Sequence, residues 1–156
     1  FSTQLQTNLT EYCENGGNLF ISGAYVASDL WDGAAPDKAG QNFATQVLKY
    51  KWRTGQAAVT GQVKCVASPY PYFSGKYNYY NELNSESYVV ESPDALEPVG
   101  EHSFTIFRYS ENNLSAGIAY KGKYKTCVLG FPFESIKTEK SRAQLMNDIL
   151  QFFSEK

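Results

Sequence analysis

The sequence predicts an α/β domain, a three-layer sandwich around a mixed sheet, on three observations. Near the N-terminus a helical stripe stops at glycines and runs into Leu19-Phe20-Ile21, an apolar run suited to a parallel strand buried on both faces. Near the C-terminus three β-rich runs separated by tight polar turns predict an antiparallel meander. A second amphipathic stripe then closes the chain as a helix. At 156 residues, 42% of them hydrophobic, the chain has enough apolar material for one core, so positions 1–156 read as a single domain.

The elements follow in order. Ser2 and Thr3 are N-cap candidates for a helix whose stripe is Leu5, Leu9, Tyr12 and Cys13, and Asn15-Gly16-Gly17 supplies its stop. The strand Leu19–Ile21 ends at Ser22-Gly23, and small residues lead into Asp29-Leu30-Trp31-Asp32-Gly33. A second helix is predicted over Ala39–Tyr50. Strands are predicted within Gln56–Ala67, from Val59, Thr60, Val63, Cys65 and Val66, and over Ser87–Glu91, from Tyr88, Val89 and Val90. Ser103–Tyr109, Leu114–Tyr120 and Tyr124–Phe131 form the meander, turning at Glu111-Asn112-Asn113 and Lys121-Gly122-Lys123. The closing helix has Thr138 or Ser141 as cap and Leu145, Met146, Ile149, Leu150 and Phe153 as its buried stripe. Pro69–Tyr80 reads as a long irregular connection, the kind of segment that often carries function.

Composition excludes several classes of function. Fourteen Lys plus Arg against sixteen Asp plus Glu give a net charge of -2, which offers no electrostatic basis for gripping nucleic acid or an anionic membrane. No run of about 18 apolar residues is present to cross a bilayer. His102 is the only histidine, so a multi-histidine metal centre is ruled out, and no metal or cofactor is expected. Cys13, Cys65 and Cys127 are widely spaced and odd in number, which fits buried small hydrophobes better than a redox or zinc motif. Phe1 opens the chain without a basic-then-apolar leader, as a mature or excised domain would.

Two segments are candidates for ligand contact. Tyr70, Tyr72, Tyr77, Tyr79 and Tyr80, with Phe73, concentrate flat rings with polar tips that suit sugar faces, or else a satellite core beneath the loop. Trp31 beside Asp29 and Asp32 makes a second patch, whose carboxylates fit an acid–base pair, a cation site or simply a solvated helix start. Pro93-Asp94 reads as a turn, and Arg108 with Glu134 as a structural ion pair.

Gly16-Gly17-Asn18-Leu19-Phe20-Ile21-Ser22-Gly23-Ala24-Tyr25, Gly130-Phe131-Pro132-Phe133-Glu134 and the closing helix resemble the class I glutamine amidotransferase-like superfamily, of flavodoxin-like architecture. Leu48-Lys49-Tyr50, Tyr88-Val89-Val90-Glu91-Ser92-Pro93-Asp94 and Phe107-Arg108-Tyr109-Ser110 look more specifically like a domain of secreted Bacteroidetes proteins labelled xanthan lyases. The resemblance implies a cysteine nucleophile on the turn after the buried strand and a late histidine oriented by a glutamate. That turn reads Ser22-Gly23-Ala24-Tyr25, with Ser22 the one nucleophile candidate, and Phe133 joins Glu134 with no histidine between. His102 would have to reach the turn from elsewhere for Glu134 to have a base to orient.

The resemblance therefore implies a catalytically degenerate domain, a pseudoenzyme binding carbohydrate or serving as a structural module within a secreted polysaccharide-processing protein. One alternative is a polysaccharide lyase with a Tyr or His base and an Arg, such as Arg108, to neutralise a uronic carboxylate. Another is a ligand-free oligomerisation domain. The family's leading parallel strands have no counterpart before Ser2, so the domain is expected to be N-terminally short, a fragment of a larger chain, with Leu19–Ile21 at a sheet edge. Such an edge invites pairing with a second copy as a homodimer, or with other parts of the parent protein.

Overall fold

Ser2 Oγ accepts the Leu5 backbone N–H at 3.3 Å and so caps the first helix, α1 (Thr3–Glu14). Gly16, at φ 88°, turns the chain out of the helix in the left-handed region that favours glycine. The computed structural model describes residues 1–155. After α1 come β1 (Leu19–Ser22), α2 (Ser28–Trp31), α3 (Lys38–Phe43), β2 (Tyr50–Thr54), β3 (Gln62–Cys65), β4 (Lys76–Asn78), β5 (Ala95–Pro98), β6 (Ser103–Tyr109), β7 (Ser115–Lys121), β8 (Lys125–Leu129) and α4 (Glu139–Ser154).

The main sheet has the order β1-β8-β7-β6-β3-β4. β1 pairs parallel with β8, Phe20 opposite Cys127, and the other neighbours are antiparallel. The fold is thus an α/β three-layer sandwich on a mixed sheet, with the meander β6-β7-β8 where the polar turns place it. β8 shows why the centre is apolar throughout: Cys127 and Leu129 enter one core cluster and Val128 the other, all fully buried. On one face α4 adds Leu145, Ile149 and Phe152, each worth about 2 kcal/mol of burial. On the other lie Leu9 of α1, Leu30 of α2, Phe43 of α3 and the Tyr50 and Leu96 side chains of an antiparallel ribbon, β2 paired with β5.

Several expectations are corrected. β1 lies at the sheet edge, as expected, but is half-buried along its length rather than buried on both faces, since one of its sides has no strand. In α1, Leu5 and Tyr12 are exposed and Leu9 and Cys13 turn inward, while Gln6 and Thr10 line a groove against α3. The second helix stops at Phe43, widens to a π-helical turn over Ala44–Leu48 and ends on Lys49 at φ 66°, which frees Tyr50 to begin β2. Tyr88–Val90 is irregular, and the strand falls at Ala95–Pro98. Within the Pro69–Tyr80 connection, Lys76–Asn78 pairs with β3. Leu150 of α4 is exposed and Phe152 takes its place in the core, with Thr138 Oγ1 capping the helix at Ser141 N–H. At the other end of α4, Lys125 Nζ donates to the carbonyls of Phe152, Phe153 and Glu155.

Candidate functional site

The turn after β1 is built from long-range hydrogen bonds. Ser22 Oγ accepts the Phe133 N–H at 3.2 Å, and the Tyr50 hydroxyl donates to the Val26 carbonyl. Beyond the turn, Asp94 Oδ2 accepts the N–H groups of Ala27 at 2.8 Å and Ser28 at 3.0 Å. Asp94 is fully buried. Burial pushes its carboxyl above the ordinary value, and the donors from Ser28 and Ala27 pull it back. The Trp52 indole N–H helps hold the charge without closing a full hydrogen bond, and Oδ1 has no hydrogen-bond partner.

Above this buried carboxylate lies a cleft of about 510 Å³, outside the carboxyl end of the parallel pair, where open α/β sheets bind ligands. Tyr25, Asp29 and Asp32 form one wall, and Trp52, Gln56 and Ser92 the other. The wall of β2 has Gly55 at its end. A methyl group there would meet Asp94 Oδ1 at 3.7 Å and Ser92 Oγ at 3.8 Å, so the glycine leaves the floor open above the aspartate. Two aromatic rings, two carboxylates, the Ser28, Thr54 and Ser92 hydroxyls and an amide line one recess. Carboxylates accept paired sugar hydroxyls and rings cover the apolar sugar face, so the arrangement suits a neutral polyhydroxylated ligand.

The structure distributes the sequence-derived candidates unevenly. Ser22 and Glu134 come to the same end of the sheet, but Glu134 accepts from the Tyr88 hydroxyl at 2.7 Å and Ser22 is occupied by Phe133. Tyr88 is half-exposed as a residue, but local desolvation of its hydroxyl first, and then the Glu134 hydrogen bond, hold the phenol up, so it keeps its proton and donates. His102 precedes β6, whose register puts it at the opposite end of the sheet, about 20 Å of strand from Tyr109. It does not approach the turn. The expected Arg108–Glu134 pair is also corrected, because Arg108 Nη1 donates to the Asn113 carbonyl at 2.6 Å.

Of the aromatic residues, Tyr70, Tyr77 and Tyr79 are buried. Tyr79 stacks on Phe131 with ring centroids 5.4 Å apart, and Tyr77 meets Phe107 edge-on. Tyr72 and Tyr80 are half-buried, and Tyr80 donates to Glu86. Trp31 packs against Tyr50 in the core, while its neighbours Asp29 and Asp32 reach the cleft. The indole that lines the cleft is Trp52, which sequence reasoning missed; the alternation Tyr50-Lys51-Trp52-Arg53 was its available signal. Cys13 and Cys127 are buried, Cys65 is half-buried, and all three are free. Among the described residues no three His, Cys, Asp or Glu side chains cluster to hold a metal ion, and no helix is long and apolar enough to cross a membrane.

No protein-family profile matches the chain, and no curated protein matches its sequence. Similar folds occur among solved structures. The cytoplasmic protein STM3548 of Salmonella typhimurium is similar over 100% of this chain and 63% of its own, at 16% identity and a TM-score of 0.64. The cytoplasmic protein STM1381 of Salmonella typhimurium LT2 is similar over 96% of this chain and 61% of its own, at 12% identity and a TM-score of 0.62. The exo-β-1,4-mannosidase Op5Man5 from Opitutaceae bacterium strain TAV5 is similar over 97% of this chain and 22% of its own, at 13% identity and a TM-score of 0.52. This chain spans less than two thirds of each of these proteins. At such identities the likeness is one of fold.

Proposed function

We propose that the chain is a non-catalytic glycan-binding module with an amidotransferase-like fold, working within a secreted carbohydrate-active protein. The observation behind it is the cleft in which Trp52, Tyr25, Asp29, Asp32 and Ser92 converge at the carboxyl end of the parallel pair. The likeness to a segment of a mannosidase supports the association with carbohydrate. The non-catalytic part rests on the turn itself, where Ser22 is already an acceptor and Glu134 is engaged by Tyr88. The lyase alternative with a histidine base is disfavoured, because it needs that base beside an arginine and His102 and Arg108 sit at opposite ends of β6.

Titration calorimetry with neutral oligosaccharides, β-1,4-linked mannotriose among them, tests the reading. Binding is expected, weakened about tenfold or more by Trp52→Ala through lost ring contact. Absence of binding by every neutral oligosaccharide overturns it.

A second reading, self-association, rests on β1, whose outer edge has no strand against it. Pairing there gives a concentration-dependent dimer in sedimentation velocity that Phe20→Pro abolishes by removing a backbone donor. A monomer at all concentrations rules it out.

A further inference from the structure

We propose that a second groove, between the β2–β5 ribbon and the β6–β7 hairpin, binds the carboxylate of an acidic sugar, with Arg108 as its receptor. The groove encloses about 500 Å³. Arg53 and Arg108 line it together with Leu96, Glu97, Thr105 and Ser115. Leu114, also in its lining, is half-buried and Ser115 nearly buried, which gives a lining part apolar and part hydroxyl, suited to a pyranose ring.

The charges favour an anion. Glu97, the one carboxylate in the lining, is shared by Lys51 at 3.2 Å and Arg53 at 3.7 Å, so its charge is already engaged by the ribbon. Arg108 is half-buried and makes no ion pair among the described residues. One of its N–H groups goes to the Asn113 carbonyl, which holds the guanidinium in place. A guanidinium has five donors in a planar fork, and this one keeps free donors matched to a carboxylate. Thr105 Oγ1 donates to Ser115 Oγ at 3.0 Å, which sets that hydroxyl pair for a sugar hydroxyl beside the acid.

The groove contrasts with the cleft on the other side of the ribbon, where Asp29 and Asp32 disfavour an acidic ligand by like charge. Trp52 and Thr54 line that cleft and Arg53 lines the groove, as the alternation of β2 dictates. The preference for an anion rests on the groove; that a sugar bears it rests on the glycan-binding reading above.

Calorimetry on the intact chain with a matched pair of probes, trigalacturonate and its neutral counterpart galactotriose, alongside mannotriose, separates the two ideas. Trigalacturonate is expected to bind more tightly than galactotriose, to weaken about tenfold or more in Arg108→Gln, and to weaken with added salt. Arg53→Gln, at a largely exposed position that leaves the fold intact, weakens it in the same direction. Mannotriose binding is unaffected by either variant. If trigalacturonate binds no better than galactotriose, or Arg108→Gln leaves it unchanged while mannotriose still binds, the groove assignment fails and the cleft reading stands. If a glutamate-rich peptide binds through Arg108 and trigalacturonate does not, the sugar assignment fails. If no oligosaccharide binds, both readings fail.

Discussion

Asp94 Oδ2 takes both the backbone N–H of Ser28, at 3.0 Å, and its hydroxyl, at 3.3 Å, across 66 positions of sequence. This buried carboxylate fixes the start of α2 and with it the wall of the cleft that bears Asp29 and Asp32. Asp94→Ala would strand the Ala27 and Ser28 donors in a dry site. We expect a loss of about 3 kcal/mol in urea unfolding, together with loss of binding in the cleft.

The same residue makes stability depend on pH. Its folded-state carboxyl titrates above the ordinary value of 3.8 because burial disfavours the charge. In the window above that value the folded state holds more protons than the unfolded one, so the Asp94 contribution is fully present below 3.8 and is lost as pH rises through the raised folded value. Asp94→Asn cannot ionise. The stability difference, wild type minus Asp94→Asn, should therefore decline with rising pH across the carboxylate range; a difference that grows with pH contradicts the assignment.

Gly130 sits where the chain leaves β8, and a methyl group there would lie 2.0 Å from the Asp94 carbonyl oxygen. That carbonyl also accepts the Tyr109 hydroxyl at 2.7 Å, so it has nowhere to move. Gly130→Ala is expected to cost about 3 kcal/mol in chemical denaturation through overpacking against backbone.

Ser22 acts as a structural acceptor in this account. Ser22→Ala removes the partner of the Phe133 N–H and should lower stability by about 1 kcal/mol. Thiol- or hydroxyl-directed covalent probes should leave the Ser22 peptide unmodified in mass spectrometry of the wild type; a labelled Ser22 would mean an activated nucleophile.

Local patterning made much of the fold legible. The meander β6-β7-β8 and helix α4 announce themselves through tight polar turns, a 3.6-residue stripe and the Thr138 cap, all properties of neighbouring residues. The ribbon β2–β5 was hidden because the stop before it is Lys49 in the left-handed region, a conformation that only glycine or asparagine advertises. Tyr88, Val89 and Val90 have strand propensity but no partner strand, and tertiary pairing decides. At the site, Asp29 and Asp32 were legible as neighbours, while Asp94 read only as a turn, since its partners lie 66 and 67 positions away. The tyrosine-rich stretch is amphipathic in composition, and burial of Tyr79 against Phe131 depends on how that loop lies over α4's side of the sheet.

The most direct test of the cleft uses the fact that the chain has only two tryptophans, Trp31 and Trp52, hence two indole N–H signals in a nitrogen-15 correlation spectrum. Trp52 lines the cleft, and Trp31 packs against Tyr50 outside its lining. Titration with neutral oligosaccharides should move the Trp52 indole signal in a saturable manner and leave that of Trp31 in place. Two stationary signals, or movement of Trp31 alone, would contradict the assignment of this cleft as the glycan site.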